Sequence, residues 1–259
     1  MLLALDVGNT EITVGLIAGQ EVRGHWRLTT NPDRTPDEWG VSLDAFLARA
    51  GHSPNEIRAA CIASVAPGVT QSLVQAIRAV VTSNIGMVDP RSPLGVTLDV
   101  DEPLAVGADR IANVIAALEM YPGDTIVVDF GTATTFDCVT ADARFIGGAI
   151  MPGLRTSADQ LVRRAAKLTE TELVPPVRAI GRRTNEHIRS GVLFGAADAI
   201  DGMVRRIRAE WPGSVVPRVV ATGGLASLIA PLTESIDAVD RDLTLHGVRI
   251  AATRLGILA

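Results

Sequence analysis

Lysine is almost absent from this chain: of 24 basic residues only Lys167 is a lysine. A Walker-type phosphate loop needs Gly-Lys-[Ser/Thr], and Lys167 stands in Ala-Ala-Lys-Leu, so that route to nucleotide binding is excluded. Cysteine is scarce as well. Cys61 and Cys138 sit in apolar, strand-like runs without metal-ligand spacing, and are expected to be buried structural thiols in a reducing compartment. His25, His52, His187 and His246 are scattered, which leaves no zinc cluster. No apolar run approaches the roughly 18 residues of a membrane span. The N-terminal apolar run has no basic flank and is broken early by Asp6, unlike a signal peptide. A cytoplasmic location is expected. Positive charge is in deficit: the net charge of −5 repels nucleic acid and anionic membrane on average, and neither is expected as a partner.

What is present begins with a repeat. Leu3–Leu16 reads LALDVGNTEITVGL and Ile126–Val139 reads IVVDFGTATTFDCV. Each has an apolar run, an aspartate, one apolar residue, then Gly-Asn-Thr or Gly-Thr-Ala-Thr, then a second apolar-rich run. The first copy lies in a predicted meander of strands at Leu2–Asp6, Ile12–Leu16 and Glu21–Leu28. Thr35 and Glu38 then have capping-box spacing, Pro36 suits a first helical position, and Trp39, Leu43, Phe46 and Leu47 share a helical face closed by Gly51. Ala59–Val65 reads as a buried strand, with a helix after Pro67.

The second half repeats this plan. Strands are expected at Thr125–Asp129, Thr134–Val139 and Arg144–Ile150, and helices near Thr156–Lys167 and Asn185–Trp211. A strand in RVVATGG and a closing helix in LTLHGVRIAATRLG complete the pattern. Two β-β-β-α-β-α units in tandem give an α/β fold with duplicated domains, here 1–118 and 119–259, and an interdomain cleft. At 259 residues, 47% hydrophobic and 20% charged, the chain can give each a core.

A tight turn between strands aligns successive backbone N–H groups, and glycine lets a phosphate approach them. Threonine and asparagine add side-chain hydrogen bonds, and an aspartate at the strand end can hold a cation or its water shell against phosphates. A hairpin turn explains one copy alone; two copies in matching halves favour paired phosphate turns. A third glycine element, ATGGLASLI at Ala221–Ile229, ends a strand before a helix and suits adenosine or phosphate, although Gly-Gly is also a generic loop. In PLAVGADRIANVIAALEMY, Ile111, Val114, Ile115 and Leu118 share a helical face, which puts Gly107, Ala108, Asp109 and Arg110 at the helix's first turn. Asp109 reads either as a helix cap or as a base for a hydroxyl nucleophile, with Arg110 as the charge partner of an anionic substrate.

In order, these glycine elements resemble the nucleotide-binding pattern of the superfamily of acetate kinase, sugar kinases, heat-shock chaperone ATPases and actin, which implies duplicated ribonuclease H-like domains. A narrower resemblance runs along nearly the whole chain. DVGNT, VGADRIAN, VVDFGTATTFD, GGAIMPGL, AAKL, IGRRTNEHIRSG, VATGGLASLI and DLTLHG are together similar to type III pantothenate kinase. That resemblance implies ATP-dependent phosphorylation of pantothenate to 4'-phosphopantothenate, the first step of coenzyme A synthesis. It also implies a divalent ion such as Mg2+ with ATP, a monovalent cation (K+ or NH4+) and a homodimer.

Carried over by position, Asp109 matches the proton acceptor and Gly107–Arg110 the pantothenate-binding segment. Asp6, Gly8, Asn9, Thr10 and Thr13 match the first phosphate turn, with Asp6 reaching the divalent ion through water. Gly131 and Thr132 match the second turn, Gly223 the adenosine element, Asp129 the monovalent-cation ligand, and Thr184 a pantothenate contact offered across the dimer. Val100 stands where many members carry a substrate-contacting tyrosine, and DPRSPLGV departs from their glycine-rich version, so the substrate loop is expected to differ. Two other readings stay open: a kinase of the same superfamily with another hydroxyl acceptor, and a non-catalytic relative. The presence of Asp6, Asp109 and Asp129 speaks against the latter.

Overall fold

The computed structural model describes residues 1–81 and 84–258, which fall into two compact units. Unit 1 comprises Met1–Met120 and the segment beginning at Asp242; unit 2 comprises Tyr121–Arg241. None of the helices among the described residues is long and apolar enough to cross a membrane.

In unit 1, β1 (Leu2–Val7), β2 (Glu11–Ala18) and β3 (Glu21–Thr29) form the expected antiparallel meander, and β4 (Ala59–Ser64) and β5 (Ile85–Met87) add in parallel on the β1 side. The order is β3-β2-β1-β4-β5. Central β1 and β4 are apolar almost throughout because both of their faces are covered, whereas β3 alternates exposed and half-buried residues, as an outer strand does.

Helix α1 (Pro36–Arg49) starts at the predicted capping box: the Glu38 N–H donates to Thr35 Oγ1 (3.3 Å), and the Thr35 N–H donates to the Glu38 carboxylate (2.8 Å). With α2 (Pro67–Val80) it closes one core, in which Trp39, Leu43, Leu47, Leu73 and Ile77 meet Leu3, Leu5 and Val7. After the short β6 (Thr97–Leu98) comes α3 (Ala108–Met120).

Unit 2 repeats the topology. Strands β7 (Thr125–Phe130), β8 (Ala133–Val139) and β9 (Arg144–Pro152) form a second meander, then β10 (Arg218–Thr222) and β11 (Ala238–Val239) add in parallel beside β7, giving the order β11-β10-β7-β8-β9. Helices α4 (Leu154–Arg164), α5 (Thr184–Glu210) and α6 (Ala226–Ile229) belong to this unit. Its core gathers Ile126, Val128 and Phe130 with Leu193, Ala197 and Ile200 of α5. Helix α4 begins and ends earlier than the expected Thr156–Lys167, because β9 stops at Pro152 and Gly153 serves as the N-cap.

The duplication extends to single residues. Both β1 and β7 bury four residues, half-expose the aspartate and bury the last residue. Asp6 pairs in register with Thr13 and Ala63, and Asp129 with Thr135 and Thr222. Each meander also breaks register three residues beyond that threonine, at Leu16/Ile17 and Cys138/Val139.

The closing helix α7 (Leu243–Arg254) departs from the sequence expectation, which placed it in the second domain; it packs on α3, β1 and β4 of unit 1. Two glycines account for the fit. A Cβ on Gly247 would run into the backbone of Ala112 in α3, and a Cβ on Gly15 would come within 2.8 Å of Leu245. The Thr244 hydroxyl donates to Asn113 Oδ1 (2.7 Å), so the contact between α3 and α7 is both close and polar. Both cysteines are free and buried as expected, and burial pushes the Cys61 thiol up to about 12.

Candidate active site

The first Asp-x-Gly turn is built by backbone contacts that only glycine permits. The Gly8 N–H donates to the Glu11 carbonyl at 3.0 Å, and a Cβ on Gly8 would lie 2.9 Å from that same oxygen. Thr30, just past β3, holds the turn from the other side: its hydroxyl donates to the Gly8 carbonyl (2.7 Å), and its N–H donates to the Thr10 carbonyl (2.9 Å). Asn9 and Thr10 are exposed at the tip, while Asp6 and its register partner Thr13 are half-buried below it. Leu3, Leu5 and Val7 enter the core with α1 and α2, so alternation puts Asp6 on the opposite face of the sheet, the face covered by α3 and α7.

Helix α3 carries Asp109 in its first turn, on that face. The Val65 N–H donates to the Val7 carbonyl (3.0 Å), and a Cβ on Gly107 would lie 3.2 Å from Val65 Cγ1. The Gly107–Arg110 segment therefore stands at the same end of β1 and β4 as the Asp6 turn. Asp109 Oδ1 accepts from the Arg110 N–H at 2.8 Å and folds back over Gly107, whose Cβ would come within 2.5 Å of it. Burial pushes the Asp109 carboxyl above the usual carboxylate range, and the Arg110 N–H and guanidinium charge partly offset that. A shielded carboxylate with raised proton affinity, beside an arginine, is suited to accept a proton from a hydroxyl.

Unit 2 gathers a second cluster. The Gly131 N–H donates to the Ala133 carbonyl (3.0 Å), but a Cβ on Gly131 would keep 3.6 Å from that oxygen, so this shorter turn is the looser one. The Thr132 carbonyl accepts from the Gly153 N–H (3.2 Å) and from the Thr156 hydroxyl (2.7 Å), which ties the turn to the start of α4. Gly223, at φ +89°, lies against the Asp129 carboxylate, and a Cβ there would also come within 2.7 Å of the Phe130 nitrogen. Gly223 and the second aspartate, remote in sequence, are thus in contact.

Val100 is half-buried in the irregular stretch before α3, and Thr184 is exposed as the first residue of α5. Neither enters the hydrogen bonds or close glycine contacts that define these two clusters among the described residues. Sequence reasoning missed the clamps Thr30, Gly153 and Thr156. Their signal was available in the duplication, since both sets follow directly on the third strand of a meander. Among the described residues no three His, Cys, Asp or Glu side chains gather as a metal site.

Comparison with known proteins extends this picture. Residues 2–206 match the family model described as type III pantothenate kinase. A type III pantothenate kinase of Thermomicrobium roseum is 46% identical over 255 residues, covering 98% of each chain. One of Moorella thermoacetica is 43% identical over 254 residues, covering 98% of this chain and 99% of that one. Among solved structures, (R)-2-hydroxyglutaryl-CoA dehydratase component A of Acidaminococcus fermentans superposes with a TM-score of 0.58 at 13% identity, covering 100% of this chain and 99% of that one. MreB 5 of Spiroplasma citri superposes with a TM-score of 0.54 at 11% identity, covering 98% and 96%. These likenesses show the fold alone, a duplicated α/β architecture. The chain belongs to the type III pantothenate kinase family, whose members use ATP to phosphorylate pantothenate in coenzyme A biosynthesis.

Proposed function

We propose that Asp109 is the proton acceptor of this pantothenate kinase, taking the proton of the substrate's primary hydroxyl as that oxygen attacks the γ-phosphorus of ATP. The observation that carries the proposal is the Asp109 carboxylate itself, shielded, folded over Gly107 and held by the Arg110 N–H. Phosphoryl transfer is loose, so the base contributes mainly orientation and late proton uptake. Gly107, Ala108 and Arg110 line the acceptor, with the Arg110 guanidinium facing the substrate carboxylate. Val100 stands in for a missing aromatic contact.

The Asp6, Gly8, Asn9, Thr10 and Thr13 turn takes ATP phosphates, as do Gly131 and Thr132, and Gly223 takes the adenosine end. A divalent ion, when bound with ATP, offsets charge on the phosphate oxygens, and Asp6 would hold it through water. Asp129 would hold potassium or ammonium. The donor set fits a weakly charged cation: one carboxylate, side-chain hydroxyls of Thr222 and Thr135 on the register partners, and the side-chain-free Gly223 beside them.

The chain acts as a cytoplasmic homodimer in this proposal. Gly191, Gly195 and Ala199 recur along α5 beside an apolar groove of about 380 Å³, and a Cβ on either glycine would meet nothing within 4 Å. Thr184 stands one turn before His187, which lines that groove, and would reach the partner's pantothenate. The test is ADP release with ATP and magnesium. Pantothenate-dependent turnover stimulated by potassium is expected; no pantothenate-dependent turnover would overturn the reading, and an unchanged rate without potassium would remove the cation assignment.

A further inference from the structure

We propose that the Thr222 hydroxyl is a second protein ligand of the monovalent cation held by Asp129, a proposal that rests on the cation reading of Asp129. Thr222 is the last residue of β10, 1% exposed, and its Oγ1 is fully buried without a hydrogen-bond partner. Such a group costs free energy in the folded state unless something absent from the protein alone satisfies it. Parallel pairing sets Thr222 directly beside Asp129. Register partners on neighbouring strands point to the same face, so hydroxyl and carboxylate are presented side by side. The next residue, Gly223, turns away at φ +89° and leaves its Cβ position to the Asp129 carboxylate, so no side chain comes between them.

Cation chemistry fits this pairing. A monovalent ion is bound by replacing part of its water shell with neutral oxygen dipoles, and one carboxylate supplies the charge. A threonine hydroxyl offers lone pairs to the ion and points its proton away. The equivalent place in unit 1 is Ala63, beside Asp6. The two Asp-x-Gly strands therefore differ in the oxygen donor on their parallel neighbour, and this separates a potassium-type site at Asp129 from a water-mediated divalent site at Asp6.

Thr134 supplies an internal control. It is also buried with an unpartnered Oγ1, but it lies on β8 beside the α5 groove, on the face opposite Asp129. Thermal unfolding of the full-length protein is followed in potassium chloride against choline chloride at equal ionic strength, and thallium(I) binding is read by its NMR shift. Thr222→Val should weaken cation binding about tenfold, while Thr222→Ser retains it and Thr134→Val leaves it unchanged. In choline chloride, Thr222→Val should melt at or above the wild-type temperature, because the unsatisfied hydroxyl is gone. A potassium response abolished by Asp129→Ala but unchanged in Thr222→Val would refute the role of Thr222 and leave the Asp129 reading standing. A response that survives Asp129→Ala would overturn both.

Discussion

Replacing Gly107 with alanine tests the acceptor side with the smallest possible change. The added Cβ would lie 2.5 Å from Asp109 Oδ1 and 3.2 Å from Val65 Cγ1, whereas ordinary contact begins at 3.4 Å. The carboxylate must therefore retreat by about 0.9 Å, or the start of α3 must shift by a similar amount, since Val65 blocks the other side. A displacement of roughly 1 Å at a positioned catalytic group costs on the order of 100-fold in rate, or about 2.7 kcal/mol in the barrier. Steady-state kinetics with ATP and pantothenate should show kcat falling by about that factor. Nucleotide affinity, measured by calorimetry, should stay within about twofold, because the Asp6 turn makes no use of Gly107. A kcat within threefold of wild type, with the fold intact by circular dichroism, would refute the claim that this glycine sets the place of Asp109.

Three other outcomes follow from the site geometry. Asp109→Asn should lower kcat by about 10²–10⁴-fold while nucleotide binding persists, and loss of nucleotide binding in a folded variant would put Asp109 on the wrong side of the chemistry. The same variant should be more stable than wild type at neutral pH. Burial raises the folded-state carboxyl, so wild-type stability declines as pH rises through that pKa, and the advantage of asparagine should vanish below the ordinary aspartate range; melting curves across pH read this directly. The turns should also respond unequally: Gly8→Ala should impair ATP binding, because its Cβ meets the Glu11 carbonyl at 2.9 Å, whereas Gly131→Ala, whose Cβ would make only an ordinary 3.6 Å contact with the Ala133 carbonyl, should bind ATP nearly as wild type does. Equal losses in calorimetric titrations would contradict this.

Local features were legible from residue order alone. The Asp-x-Gly hairpins, the capping box at Thr35 and the face of α1 depend on contacts within a few positions, and the structure forms them where the pattern indicates. Contacts between distant segments were not. Nothing near Gly223 announces that it must make room for Asp129, and the two hydrogen bonds that Thr30 makes to the first turn depend on the length of β3. The place of α7 was hidden for the same reason. Its apolar face would suit either sheet by periodicity, and the choice depends on Gly247 meeting Ala112 and on Leu245 meeting Gly15. Asp109 lay between these cases: its helical position could be read, but its proton affinity depends on burial that only the folded chain provides.

Helix α7 has a consequence for the order of events during synthesis. Unit 2 is one uninterrupted length of chain, complete once Arg241 has left the ribosome, whereas unit 1 is assembled from two lengths separated by the whole of unit 2. Until Arg254 emerges, β1, β4 and α3 lack the helix that packs on them. The strand bearing Asp6 is thus made before unit 2 and covered by α7 only after it, an inversion of the usual N-terminal-first order. The growing chain keeps α3 unsupported until translation reaches the final turns of α7, and a ribosome stalled before them would leave a finished second unit attached to an open first one.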